Sequence, residues 1–212
     1  NYVWVFANAT TVLYHFSPSR EGGVVEEILD EFQGVLVTDF YPGYDGMQCL
    51  QQKCLIHLIR DINNTLQKNP FNEEIRAIAE RFGALMRSII DTVDRFGLRK
   101  RNMKKHIAES EAFLTWTTDS AFTTRTAKTL QKRFKKNRSS LFRFLEYDSV
   151  PWNNNNAEHA VRAFTRVRNQ ISSSTPNGMR EYCILLSLQQ TLEYRGLEFF
   201  DFVRSGIRDL PE

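Results

Sequence analysis

An α/β domain interrupted by a large helical insertion is the fold class that this 212-residue sequence predicts. Three observations point to it. Short apolar runs rich in β-branched and aromatic residues occupy the first 58 positions. Amphipathic helical periodicity takes over from residue 59 to about 147. Helix signals, introduced by a proline- and asparagine-rich junction, fill the remainder. The predicted organisation is a core of residues 1–58 and 148–212 around a mostly helical, basic insertion, residues 59–147. A hydrophobic fraction of 42% with 12% aromatics is ample for a packed core.

Taken in order, Tyr2-Val-Trp-Val-Phe6 and Thr10-Thr-Val-Leu-Tyr-His-Phe16 flank a short turn at Asn8, the pattern of an antiparallel hairpin. Ser17-Pro18 breaks it, and Val24, Val25, Ile28, Leu29 and Phe32 follow at helical spacing. Gly34-Val-Leu-Val-Thr-Asp39 is a short apolar run ending before the turn-rich Tyr41-Pro-Gly-Tyr44; it predicts a central strand buried on both faces, in a parallel arrangement. Lys53-Cys-Leu-Ile-His57 predicts a further short strand passing into a helix near Leu58. Ile75, Ile78, Phe82, Leu85, Met86, Ile89 and Val93 mark one face of a long helix. After Val150-Pro-Trp and four asparagines a helix is predicted from about Ala157. A loop from Ser172 to Gly178 precedes a last helix from about Met179 to Arg195, which Gly196 ends as a C′ residue.

Net charge is only +3, but it is unevenly distributed. Residues 95–143 hold 14 Lys/Arg against three acids, Glu109, Glu111 and Asp119, whereas the rest of the chain is acidic on balance. Such a segment suits a polyanion. Its densest part carries Lys132, Arg133, Lys135 and Lys136, which predict a surface for DNA phosphates that contributes affinity without sequence readout. Three cysteines, Cys49, Cys54 and Cys183, form no paired framework and fit a reducing compartment. No run approaches the roughly 18 apolar residues that cross a membrane. A soluble, cytoplasmic protein without a membrane partner is expected.

The chemistry-bearing candidates are two carboxylates. Phosphodiester transfer needs divalent cations about 3.5–4 Å apart, held by Asp and Glu from different elements. Asp39 ends a predicted strand, where open α/β sheets place their ligands, and Glu158 falls in the first turn of a predicted helix. Each has a plainer explanation. Asp39 suits a turn-initiating residue before Tyr41-Pro-Gly, and Glu158 suits a glutamate favoured by the helix dipole. The spacing Cys49, Cys54, His57 invites zinc. On one strand, however, residues 54 and 57 would face opposite sides and no fourth ligand is evident, so buried thiols are the better explanation.

Several stretches together carry a resemblance. Val37-Thr-Asp39 with Tyr44, Cys54-Leu-Ile-His57-Leu-Ile-Arg60, Val150-Pro with Asn154-Asn-Asn-Ala-Glu158 and Arg162, then Arg168-Asn169, Ser173-Ser174 and Gly178 are similar to the IS66 family of insertion-sequence transposases. The resemblance implies a DDE enzyme with an RNase H-like mixed sheet, in which two aspartates and a glutamate hold Mg²⁺, with Mn²⁺ as a substitute. Asp39 then corresponds to the second aspartate and Glu158 to the glutamate. The first aspartate would lie on a strand before Tyr2, outside these 212 residues, so the sheet is expected without its first strand. Asn153 stands where the family usually has aspartate.

The activity implied is metal-dependent hydrolysis and strand transfer at the ends of an element, on double-stranded DNA, in a homo-oligomeric complex. Arg162, four residues after Glu158, would contact a DNA phosphate or pair with Glu158. His57 would orient the substrate, and Arg166 and Arg168 would join the DNA contacts. With two of three carboxylates, the chain alone is expected to bind DNA without cutting it. The alternatives are a non-catalytic DNA-binding remnant of a transposase and an RNase H-like nuclease, because fold does not fix function.

Overall fold

The computed structural model describes residues 2–20, 23–168 and 175–210. Along the chain the elements are β1 (Tyr2–Ala7), β2 (Val12–Ser17), α1 (Gly23–Ile28), β3 (Val35–Thr38), β4 (Leu50–Lys53), α2 (Leu55–Lys68) and α3 (Glu73–Phe96). They continue with α4 (Lys100–Met103), α5 (Lys105–Asp119), α6 (Arg125–Leu141), α7 (Asn155–Arg168), α8 (Pro176–Tyr194) and α9 (Phe199–Ser205). One-turn 3₁₀ helices lie at Pro42–Tyr44 and Arg143–Glu146. The result is a mixed α/β chain dominated by helix. It forms two compact units: residues 1–30 with 155–212, and residues 31–154.

In the first unit β1 and β2 form the expected antiparallel hairpin, Tyr2 opposite Ser17 and Ala7 opposite Val12. Asn8 makes the turn, its side-chain oxygen accepting from the amides of Thr10 at 2.9 Å and Thr11 at 2.8 Å. Val12, Tyr14 and Phe16 alternate onto one face and meet Ala160 and Phe164 of α7 and Cys183 and Leu186 of α8. The outer edge of β2 is covered by hydroxyls of α8. Thr191 Oγ1 accepts from Val12 N and donates to Val12 O, both at 3.1 Å, and Ser187 Oγ accepts from Tyr14 N at 2.9 Å. Backbone groups that another strand would pair are satisfied by side chains instead. The helix expected from Met179 begins earlier, at Pro176, because Thr175 caps it by accepting from Gly178 N at 3.1 Å. Gly196, with φ of +71°, follows its end as expected.

In the second unit β3 and β4 are parallel, Val35 opposite Leu50 and Thr38 opposite Lys53. Two expectations are corrected here. The strand expected at Lys53–His57 lies at Leu50–Lys53, and α2 begins at Leu55. Leu55, Leu58 and Ile62, at i, i+3 and i+7, are buried together, and that helical packing overrides the β-rich look of Cys-Leu-Ile. Nor is β3 buried on both faces: Val35, Leu36 and Val37 are half-exposed, and among the described residues β3 pairs with β4 alone.

Helices α2 to α6 surround an apolar centre in which Phe82, Phe113 and Phe134 meet with ring centroids 5.4 to 6.0 Å apart. Gln52, fully buried, ties β4 to this core. Its amide nitrogen donates to the carbonyls of Lys53 and Leu141, both at 2.7 Å, and its oxygen accepts from Phe144 N at 3.0 Å.

A second clasp joins α3 to the start of α6. Glu74 accepts from the amide of Thr123 at 2.7 Å and that of Thr124 at 2.9 Å, and both hydroxyls also donate to it. These donors, the Thr124 hydroxyl first, hold the carboxylate down at about 2. A depressed folded-state pKa contributes stability above the ordinary glutamate value of 4.5 that is lost as pH falls toward about 2. Urea midpoints of the wild type and Glu74→Gln should therefore be furthest apart near neutrality and converge on acidification across that window. A gap that stays constant from pH 6 to pH 2 would show that the clasp owes nothing to charge.

Candidate active site and nucleic-acid interface

Asp39 directly follows the last residue of β3, at the C-terminal end of a parallel pair. Its Oδ1 accepts from Tyr41 N at 2.8 Å, so the turn-initiating role is real. The residue is half-buried, and its charge acts on Lys53, the last residue of β4. Lys53 is only 3% exposed; its ammonium donates to Thr38 Oγ1 at 3.2 Å and lies 3.4 Å from Asp45 Oδ1. Burial pushes the Lys53 amine down, against the pull of Asp45 and Asp39. Asp45 also receives Lys136 Nζ at 2.7 Å, and that bond above all holds its carboxyl below the usual range.

Glu158 is the fourth residue of α7 and half-buried, in the first turn where a carboxylate complements the helix dipole. Arg162 and Arg166 follow at four-residue intervals on the same side of α7, both exposed, as is Arg168 in its last turn. Asp39 belongs to the second unit and Glu158 to the first. His57 lies in the first turn of α2, half-buried, with Arg60 one turn later. Asn169, Ser173 and Ser174 fall outside the described residues.

The expected DNA-facing cations of α6 separate into two kinds. Lys132 and Lys135 are exposed. Arg133 turns inward, 2.5 Å from Asp61 Oδ2, with its guanidinium 3.9 Å above the Phe40 ring, so it ties α6 to its neighbours. Lys136 is exposed but bound to Asp45.

The cysteines are free thiols, Cys54 and Cys183 buried and Cys49 partly so. Burial raises Cys49 and Cys183 above the usual thiol range. Among the described residues no group of three His, Cys, Asp or Glu side chains could hold a metal ion. Cys54 stands just before the first residue of α2 and His57 sits within that helix, so the shared strand expected for them does not exist.

Asp45, Lys53 and Gln51 were not expected to matter, whereas Arg143 closes the basic segment expected to meet DNA. A lysine closing a polar strand was the one visible signal; nothing in Leu-Gln-Gln-Lys announces that its ammonium is buried.

Comparison with known protein families places the chain among the transposases. The chain belongs to the transposase IS66 family, whose profile matches residues 1–181. No curated protein and no solved structure matches the chain. No helix among the described residues is long and apolar enough to cross a membrane.

Proposed function

We propose that this chain carries most of the catalytic core of a DDE transposase with an RNase H-like fold, acting on double-stranded DNA at element ends and target. The family match over residues 1–181 carries the proposal. Asp39 at the end of a parallel strand and Glu158 in the first turn of α7 support it. In functional terms residues 1–58 and 148–212 form the core and 59–147 the insertion, a division that cuts across the two compact units.

Asp39 and Glu158 would hold Mg²⁺ or Mn²⁺, since carboxylates are the donors these ions prefer. The bound ions would activate the attacking oxygen and stabilise the leaving one. The Tyr41 amide fixes the Asp39 carboxylate in orientation. Two carboxylates hold Mg²⁺ weakly, so the 212 residues by themselves should bind DNA without cutting it, and the active complex is a homo-oligomer. Arg162, Arg166 and Arg168 on α7 and Lys132, Lys135 and Lys136 on α6 supply phosphate contacts, with His57 orienting the substrate.

The lysines give the direct test. In a triple variant Lys128→Gln, Lys132→Gln, Lys135→Gln, all at exposed positions of α6, duplex affinity should fall for every sequence alike. The slope of log K against log salt should become shallower by about 0.9 for each phosphate that is no longer neutralised. Arg133 is left in place, because its loss would disturb the fold as well as the surface. An unchanged slope would mean that α6 is an ordinary solvated face.

A further inference from the structure

The second unit contains a cavity of about 350 Å³ between the loop before β4, β4 itself and the end of α6. Lys53, Lys136 and Arg143 line it, together with Gln51, Ser139 and Ser140. We infer that this cavity is a phosphate-binding pocket, and that the phosphate it takes is one of a polynucleotide backbone. The pocket stands on its own geometry; the choice of DNA as the source rests on the proposed function.

Three cations face the cavity against one carboxylate on its wall, Asp45. Asp45 is shared by two ammoniums, Lys136 at 2.7 Å and Lys53 at 3.4 Å. Arg143 spends its outer nitrogen on Glu146 at 3.1 Å, but its Nε is buried and has no hydrogen-bond partner. A buried donor left unpaired costs about 1–3 kcal/mol, so the Arg143 Nε–H on the wall of this cavity marks a place where a bound acceptor would complete the set.

A phosphate fits these donors. It offers several acceptor oxygens to the Arg143 Nε–H, the two lysine ammoniums and the hydroxyls of Ser139 and Ser140, and charge-assisted bonds of this kind are the strong ones. Asp45 acts as its stand-in, keeping both lysines aimed at one point and leaving Lys136 when phosphate arrives. The exterior favours a polymer over a lone anion. Lys128, Lys132 and Lys136 recur every four residues along α6, each step advancing about 6 Å toward the cavity.

The test uses the full chain and two probes, inorganic phosphate followed by calorimetry and a 20-base-pair duplex (an arbitrary length of about two helical turns) followed by fluorescence anisotropy. Arg143→Gln, and separately Ser139→Ala with Ser140→Ala, should weaken phosphate binding, the arginine variant by about tenfold. Asp45→Asn should tighten it, because the stand-in loses its charge. The serine pair is a small change near the surface and remains informative if Arg143→Gln misfolds. Parallel changes in duplex affinity establish the backbone as the source. Phosphate binding that responds while duplex binding does not keeps the pocket and overturns the DNA assignment, in favour of a free phosphorylated compound. Variants that leave both probes unaffected overturn the pocket, and they leave the proposed function intact if the lysine variant of α6 still loses duplex affinity.

Discussion

Asp39→Asn, introduced into an assembly competent for cutting, should lower cleavage at element ends by at least about a hundredfold while duplex binding stays within about twofold. The magnitude follows from metal chemistry: groups one shell further from a metal than Asp39 already cost 10–100-fold when removed. Asparagine is the informative substitution because Asp39 has two roles open to it. Its Oδ1 accepts from the Tyr41 amide, and asparagine preserves that turn while removing the charge. A purely structural Asp39 therefore predicts near-normal cleavage, and a metal-holding one predicts almost none. Glu158→Gln should give the same loss, since glutamine also remains compatible with the first turn of α7. Normal cleavage by either variant would remove that residue from the catalytic set.

Gln52→Leu is expected to destabilise the second unit by about 3 kcal/mol, from an order-of-magnitude cost of 1–3 kcal/mol for each buried group left unpaired. Leucine fills much of the same space, so the cost is polar. The carbonyls of Lys53 and Leu141 lose a donor and the amide of Phe144 loses its acceptor, in a region that water does not reach. Urea unfolding should show a lower midpoint with unchanged slope. A variant within 0.5 kcal/mol of the wild type, the range of ordinary surface substitutions, would mean that these backbone groups find other partners.

Both predictions concern residues whose visibility in the sequence differed sharply. Asp39 was legible because its neighbours punctuate: an apolar run before it and Tyr-Pro-Gly after it place a strand end. The hairpin at Asn8 and the helix bearing Ile75, Phe82 and Ile89 were legible for the same local reason, since turn chemistry and helical period act over a few residues. Gln52 was not, because its three bonds reach residues as far away as 144. β4 was displaced for a related reason. Its polar sequence belongs in a strand only because Gln52 and Lys53 find partners inside the fold. Glu74, which looked like any first-turn acid of α3, clasps threonines about fifty positions away. Arg133 sat in a row of cations and could not be told from Lys132 until Asp61 and Phe40 came beneath it. Of the candidate site, residue types and local elements could be read from the chain, whereas the pairings around Asp45 could not.

The first unit is assembled from two stretches with the whole of the second between them. A ribosome delivers β1 and β2 long before Thr191, whose hydroxyl meets Val12 across 179 positions. In that interval the hairpin is marginal on its own, since two strands without a covering layer hardly persist in water. The second unit shortens the wait. Cys54 N donates to Thr38 O at 2.7 Å and Leu55 N to Trp152 O at 2.9 Å, so the segments by which the chain enters and leaves that unit are tied to one point. Once this knot forms, closing the outer unit spans an effective loop of a few residues on either side, and the entropy of closure falls by about 2 kcal/mol. Connectivity thus favours an order of maturation, the unit of residues 31–154 first and the unit of residues 1–30 with 155–212 after it. Damage at Gln52 would then be felt twice, as lost stability inside and as a delayed start outside.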